Sequence, residues 1–189
     1  MGERVAALQA AYPHAQVELW AQDEHRLGLK PILRRVWSPR GVQPVVAVRP
    51  RYEWLWVYGW VHPATGATEW LLLPTVNTAL FTLALEQFAQ AVGAGPNKQV
   101  RVALDQAGWH VAAGVRLPAG VHLEFLPAYS PELQPAERLW PLTNEGVANR
   151  LFATLDALEE ALVERLGTLM AQPELVRAYT AYHWWPKAG

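Results

Sequence analysis

Two short alternating segments that each end on acid, VELWAQDE at 17–24 and QVRVALD at 99–105, constrain this chain more than any other feature. Alternation of apolar and other residues at period two marks a strand with at least one covered face. If the two strands are parallel neighbours, Asp23 and Asp105 converge at their carboxyl ends, where open α/β sheets carry their sites.

The rest of the chain supplies the layers such a sheet needs. Residues 2–11 read as a short helix, and EWLWVYGWVHP with ATGATEWLLLP reads as two strands joined at HPATGA, where Pro63 and Gly66 interrupt the run. From about Val76 to Val92, Leu80, Leu83, Ala84, Phe88, Ala91 and Val92 recur at helical spacing, and GAGPNK closes the segment. AGWHVAAGVRL reads as a short helix and VHLEFLP as another strand. A helix is expected from about Glu132 to Ala148, and a second from Leu155 to Met170, capped by Thr154, with Leu155, Leu158, Leu162, Leu166 and Leu169 on one face. The tail AYHWWPKAG reads as irregular. This order predicts a mixed α/β domain around a central sheet. At 189 residues the chain is expected to be a single domain, with its core over about 17–170.

Composition narrows the chemistry. There is no cysteine, which removes thiolate metal sites, disulfides and a cysteine nucleophile. No run approaches the ~18 apolar residues that span a bilayer, and the N-terminal stretch is too polar for a secretory signal, so a soluble, cytoplasmic protein without a membrane partner is expected. The net charge of −1 gives no overall bias toward nucleic acid, but its distribution does. From His25 to Tyr52 the chain carries Arg26, Lys30, Arg34, Arg35, Arg40, Arg49 and Arg51 with no acid among them, a segment suited to phosphate contacts.

A third carboxylate has unusual surroundings. In LPAYSPELQPAERLW, residues 126–140, Pro127, Pro131 and Pro135 restrict how the backbone enters the helix expected to carry Glu137. Asp23, Asp105 and Glu137 together describe a site for hard divalent cations such as Mg²⁺, which takes oxygen ligands and keeps part of its hydration shell. Two such ions about 4 Å apart can activate a water or a 3′-hydroxyl and stabilise the leaving oxygen of a phosphodiester. Without metal the three charges repel, so removing one, as in Asp105→Ala, is expected to leave the fold as stable or more stable.

AQDEHRLGLKPILRRVWSPRG, LDQAGWH and LPAYSPELQPAERLWPLTNEGVANR together resemble the catalytic (DDE endonuclease) domain of mariner-like insertion-sequence transposases, over about residues 17–166. The last segment is the most specific, with Tyr-Ser-Pro and Pro-x-Glu in order and close together. The resemblance implies a ribonuclease H-like fold and a catalytic triad of Asp23, Asp105 and Glu137, the last two separated by the 31 residues from 106 to 136. It implies Mg²⁺ or Mn²⁺ as cofactor, two ions in all, with hydrolytic nicking of DNA at element ends followed by attack of the 3′-hydroxyl on target DNA. Gln106 and Gln134 stand where the family often has Asn. Such transposases usually carry N-terminal helix-turn-helix modules. Only sixteen residues precede the first strand here, so the chain is expected to be the catalytic half alone, with a helix-turn-helix protein in trans and a homodimer formed on DNA.

Several neighbours have defined expectations. Glu24 should point to the face opposite Asp23, as a secondary ligand candidate. His110 could contact a phosphate or water, or simply pack beside Trp109. Glu132 suits the first turn of a helix. Lys30, Arg34, Arg35, Arg40, Arg138 and Arg150 are the candidate DNA-phosphate contacts. Trp54, Trp56 and Trp60 alternate on one strand face and read as core. The alternative to an enzyme is a non-catalytic DNA-binding or assembly module, a remnant of a transposase, and metal-dependent cleavage separates the two.

Overall fold

The computed structural model describes residues 1–45 and 51–186. Arg49, part of the basic run, lies outside the described residues. The elements in chain order are α1 Gly2–Ala11, β1 Gln16–Gly28, β2 Trp54–His62, β3 Ala67–Leu73, α2 Thr78–Val92, β4 Lys98–Leu104, α3 Gly108–Val111 and β5 Val121–Phe125. Two 3-10 turns follow, Pro131–Leu133 and Pro135–Arg138, and then α4 Leu139–Asn144, α5 Leu155–Met170 and α6 Pro173–Thr180. The described strands form a mixed sheet in the order β3-β2-β1-β4-β5. β1 pairs in parallel with β4, and β4 with β5, while β2 is antiparallel to β1 and β3. None of the described helices is long and apolar enough to cross a membrane.

The period of two sorts the strands onto two cores. Trp20, Tyr58, Trp60, Val100, Val102 and Leu104 face α2 and meet Phe81, Ala84, Leu85 and Phe88. Leu19, Ala21, Val57, Val61 and Ala103 face the other way, against Leu139 and Leu142 of α4 and Leu158, Leu162, Leu166 and Leu169 of α5. Asn77 caps α2, its Oδ1 accepting the Leu80 N–H at 2.9 Å, and Gly93 ends the helix at φ 70°. Thr154 caps α5 as expected, its hydroxyl accepting the Ala157 N–H at 3.2 Å. The α2 face differs from its sequence reading. Phe81, Ala84, Leu85, Phe88 and Ala89 are buried, whereas Leu83 is 45% exposed. Of the three tryptophans, Trp60 is fully buried, Trp56 partly so, and Trp54 is 43% exposed with the Arg26 guanidinium 5.2 Å from its ring.

Three boundaries depart from the sequence reading. β1 does not stop at Glu24. Its pairing with β4 ends at Ala21–Ala103, but β2 carries the antiparallel ladder on to Gly28–Trp54. Asp23 therefore stands where one partner strand leaves and the other continues. The helix expected over 132–148 is broken, because Pro135 has no N–H to give and biases Gln134 toward extended backbone, observed at φ −99°, ψ 104°. The chain makes two 3-10 turns and only six residues of α4 instead. Finally, α6 begins at Pro173 and rests on the β2–β3 turn, where Gly66 at φ 80° leaves no room for a Cβ against the Pro173 carbonyl.

Candidate active site

A cleft of about 490 Å³ opens beyond the carboxyl ends of β4 and β5. Asp23, Asp105, Gln106, Pro127, Gln134 and Glu137 are among its lining residues, and Tyr129, fully exposed and held at φ 57°, stands beside them. The three acids arrive by separate routes. Asp23 comes from inside β1, Asp105 is the residue after β4, and Glu137 lies in the second 3-10 turn.

That turn is pinned by a side chain. The Nε2 of buried Gln134 donates to the Gln22 carbonyl at 2.8 Å, and its Oε1 accepts the Ala136 N–H at 3.3 Å. Gln106 similarly donates to the Leu126 carbonyl at 2.8 Å, tying the segment after β4 to the segment after β5. Gln134 thus bonds the backbone beside two cleft acids, whereas Gln106, itself the residue after Asp105, bonds the backbone of the segment after β5.

Asp23 and Glu24 point to opposite faces of β1, as alternation requires. On the α4 side the Trp140 indole donates to Asp23 Oδ2 at 2.8 Å. On the α2 side Glu24 is buried, with His110 Nε2 at 2.8 Å from its Oε1, while His110 Nδ1 lies 2.8 Å from Asp105 Oδ1. Asp105 also accepts the Ala107 N–H at 3.0 Å. His110 therefore joins Asp105 to a fourth, buried carboxylate outside the cleft lining. Sequence reading placed both residues near the site without pairing them.

The charges of the site follow from these partners. Burial pushes the Asp23 carboxyl up to about 8; the Trp140 hydrogen bond opposes this, and Glu137 and Glu24 add to it. Burial and then Asp105 also raise Glu137. Asp105 is held below the usual carboxylate range, chiefly by His110. For His110, burial acts against protonation, but hydrogen bonds to Asp105 and Glu24 outweigh it and raise the imidazole to about 9. At neutral pH it is an imidazolium donating to both acids. These contacts weigh against the expectation that Asp105→Ala leaves the fold at least as stable, because Asp105 is a satisfied acceptor whose loss would orphan Nδ1 of His110.

The candidate basic residues divide. Lys30, Arg35 and Arg40 are exposed. Arg34 is tied into the fold, donating to the Pro141 carbonyl at 2.7 Å while its backbone N–H donates to Asn149 Oδ1 at 2.9 Å. Arg138 donates to the Tyr182 hydroxyl at 2.8 Å, and Arg150 to the Gly146 carbonyl at 2.7 Å, with its guanidinium 4.9 Å from the Phe152 ring. Glu132 is exposed in the first 3-10 turn.

The family model described as DDE superfamily endonuclease matches residues 18–159, the stretch that holds all three cleft acids. The chain belongs to this family. An uncharacterised protein of Sinorhizobium fredii is 30% identical to this DDE endonuclease domain over 132 residues, 69% of this chain and 96% of that protein. The catalytic domain of the Mos1 mariner transposase superposes with a TM-score of 0.51 at 17% identity, covering 97% of this chain and 93% of that one. The Mos1 mariner paired-end complex with Mn superposes with a TM-score of 0.55 at 19% identity and 97% coverage; the DDE domain spans 62% of that chain. These likenesses establish the ribonuclease H-like fold, a mixed sheet between helical layers.

Proposed function

We propose that this DDE endonuclease domain is the catalytic domain of a mariner-like transposase, with Asp23, Asp105 and Glu137 holding Mg²⁺ or Mn²⁺. The observation that carries the reading is the single cleft lined by acids from three separate segments. Its donor chemistry fits. The oxygens are hard, and among the described residues neither Asp23 nor Glu137 has an ion-pair partner that would neutralise it on ionisation, a place a cation can fill. No three acidic or imidazole side chains among the described residues are grouped to cage one ion. Mg²⁺ is commonly held by one or two carboxylates with water and substrate phosphate completing its shell, and two ions shared among the three cleft acids are part of the proposal.

When bound, the cations supply charge neutralisation at the phosphodiester and acidify the attacking water or 3′-hydroxyl. The chain's own part is to hold the acids still. Gln134 fixes the turn carrying Glu137, His110 and the Ala107 N–H orient Asp105, and the β1–β2 ladder carries Asp23. DNA is the proposed substrate, at element ends and then at the target, in keeping with membership of an endonuclease family. Lys30, Arg35 and Arg40 are the proposed phosphate contacts, with Arg34, Arg138 and Arg150 in a second rank since each already bonds its own fold. Assembly as a homodimer on DNA, with a helix-turn-helix protein in trans, belongs to the same proposal.

The test is nicking of supercoiled DNA. Cleavage is expected in Mn²⁺ and Mg²⁺, absent under chelation, and absent in Asp105→Asn. Metal-independent DNA binding with no cleavage in any cation would instead identify the non-catalytic module.

A further inference from the structure

Trp140 reaches the site in a way that neither the family match nor the three-acid reading uses. It lies three residues after Glu137, at the start of α4, and its indole N–H donates to Asp23 Oδ2 across 117 positions of sequence. The ring is only 6% exposed. It stacks on His25 with centroids 5.0 Å apart at 19°, and meets the edge of Trp70 at 6.4 Å. His25 is itself anchored, its Nε2 3.1 Å from Asn144 Oδ1 at the end of α4.

The seat for this ring is a missing side chain. Gly59 is the β2 residue opposite Asp23 in the antiparallel register. A Cβ there would lie 3.0 Å from Trp140 Cη2, 2.9 Å from Trp70 Cζ3 and 3.3 Å from Leu139 Cδ1. Two rings and a leucine would have to move together, so the glycine is required by space. The indole N–H is a fixed donor, and its bond to Oδ2 holds the Asp23 carboxylate in one rotamer.

Resting on the proposed metal site, we infer that Trp140, seated by Gly59, is a positioning residue for Asp23: it holds one carboxylate oxygen from the α4 side and so couples the segment that carries Glu137 to the acid on β1. Partners of metal-binding carboxylates commonly contribute ~10–100-fold to metal affinity.

Mn²⁺ binding by calorimetry, beside thermal melting in chelator, tests this without relying on turnover. Trp140→Phe keeps a packed ring and removes the donor; it is expected to weaken Mn²⁺ binding about tenfold while the metal-free chain still melts cooperatively. Gly59→Ala, which displaces the ring without removing it, should weaken binding in the same direction and stands in if Trp140→Phe does not fold. In an Asp23→Ala background, where Trp140 has no acceptor to hold, adding Trp140→Phe should change Mn²⁺ affinity no further, an outcome that a purely structural tryptophan would not give. Affinity within twofold of the parent in Trp140→Phe, or in Gly59→Ala if that variant is the one that folds, overturns the positioning role alone. A parent chain that binds no Mn²⁺ overturns the metal site and this inference with it.

Discussion

Nε2 of His110 lies 2.8 Å from Oε1 of Glu24, a carboxylate 4% exposed on the face of β1 turned away from Asp23. The other imidazole nitrogen serves Asp105. One buried ring therefore connects a cleft acid to an acid on the opposite side of the sheet, and its charge is part of the fold's stability.

Folding raises the His110 pKa from 6.5 to about 9. Stability from this linkage is therefore complete below the unfolded value and is lost as pH rises through about 9. His110→Asn should cost the metal-free protein roughly 3 kcal/mol near pH 6, with the difference shrinking between pH 7 and 10. Melting curves of parent and variant across that range decide it. A gap that stays constant with pH would mean that the ring contributes packing alone.

Asp23 has the opposite relation to its surroundings. Its folded carboxyl is raised from 3.8 to about 8, so folding favours the protonated form and this group's contribution falls as pH rises between those values. Asp23→Asn keeps an acceptor oxygen for Trp140 and removes the charge. It should stabilise the metal-free chain at pH 8.5 by on the order of 1–3 kcal/mol and abolish cleavage. Asp105→Ala should destabilise it by about 1–3 kcal/mol, since a buried donor is left unmade. Melting in chelator at pH 8.5 separates the two, and equal shifts of one sign would refute the contrast.

Much of this architecture was legible because it is written locally. The Thr154 cap and leucine stripe of α5, the β2–β3 hairpin and the alternation of β4 each depend on residues close together in sequence. Asp105 was legible from the end of β4 and Glu137 from its proline-rich approach, whereas Asp23, read as a strand end, lies inside β1. What failed was set at a distance or by a single backbone constraint. Pro135 overrode the helical pattern around Glu137, and β1 ran past Glu24 because a second partner strand continued the ladder. Nothing local pairs Trp140 with Asp23, Gly59 with an indole, or His110 with Glu24. Each of those contacts exists only once β1, β2 and the segments after β4 and β5 have come together.

The basic segment separates DNA binding from folding. The triple variant Lys30→Ala, Arg35→Ala, Arg40→Ala should weaken binding about equally for all DNA sequences and flatten the salt dependence by up to ~0.9 for each phosphate no longer neutralised, with little change in melting temperature. Arg34→Ala should instead lower the melting temperature, because its guanidinium bonds the Pro141 carbonyl. Binding isotherms at several salt concentrations read the first effect, and an unchanged slope would make these residues a solvated face.

Gln134 offers a test of how tightly the turn carrying Glu137 must be held. Its side chain is 3% exposed and serves both the Gln22 carbonyl beside Asp23 and the Ala136 N–H beside Glu137. Gln134→Ala leaves both groups without their partner, at a cost of about 1–3 kcal/mol, or roughly 2–10 °C in melting temperature for a chain of this size. Cleavage should fall further than stability alone explains, because metal-dependent chemistry tolerates little drift in a ligand's position. Rates in saturating Mn²⁺, measured well below the variant's melting temperature, isolate that second effect. Full activity in a folded, destabilised Gln134→Ala chain would show that the prolines alone position Glu137.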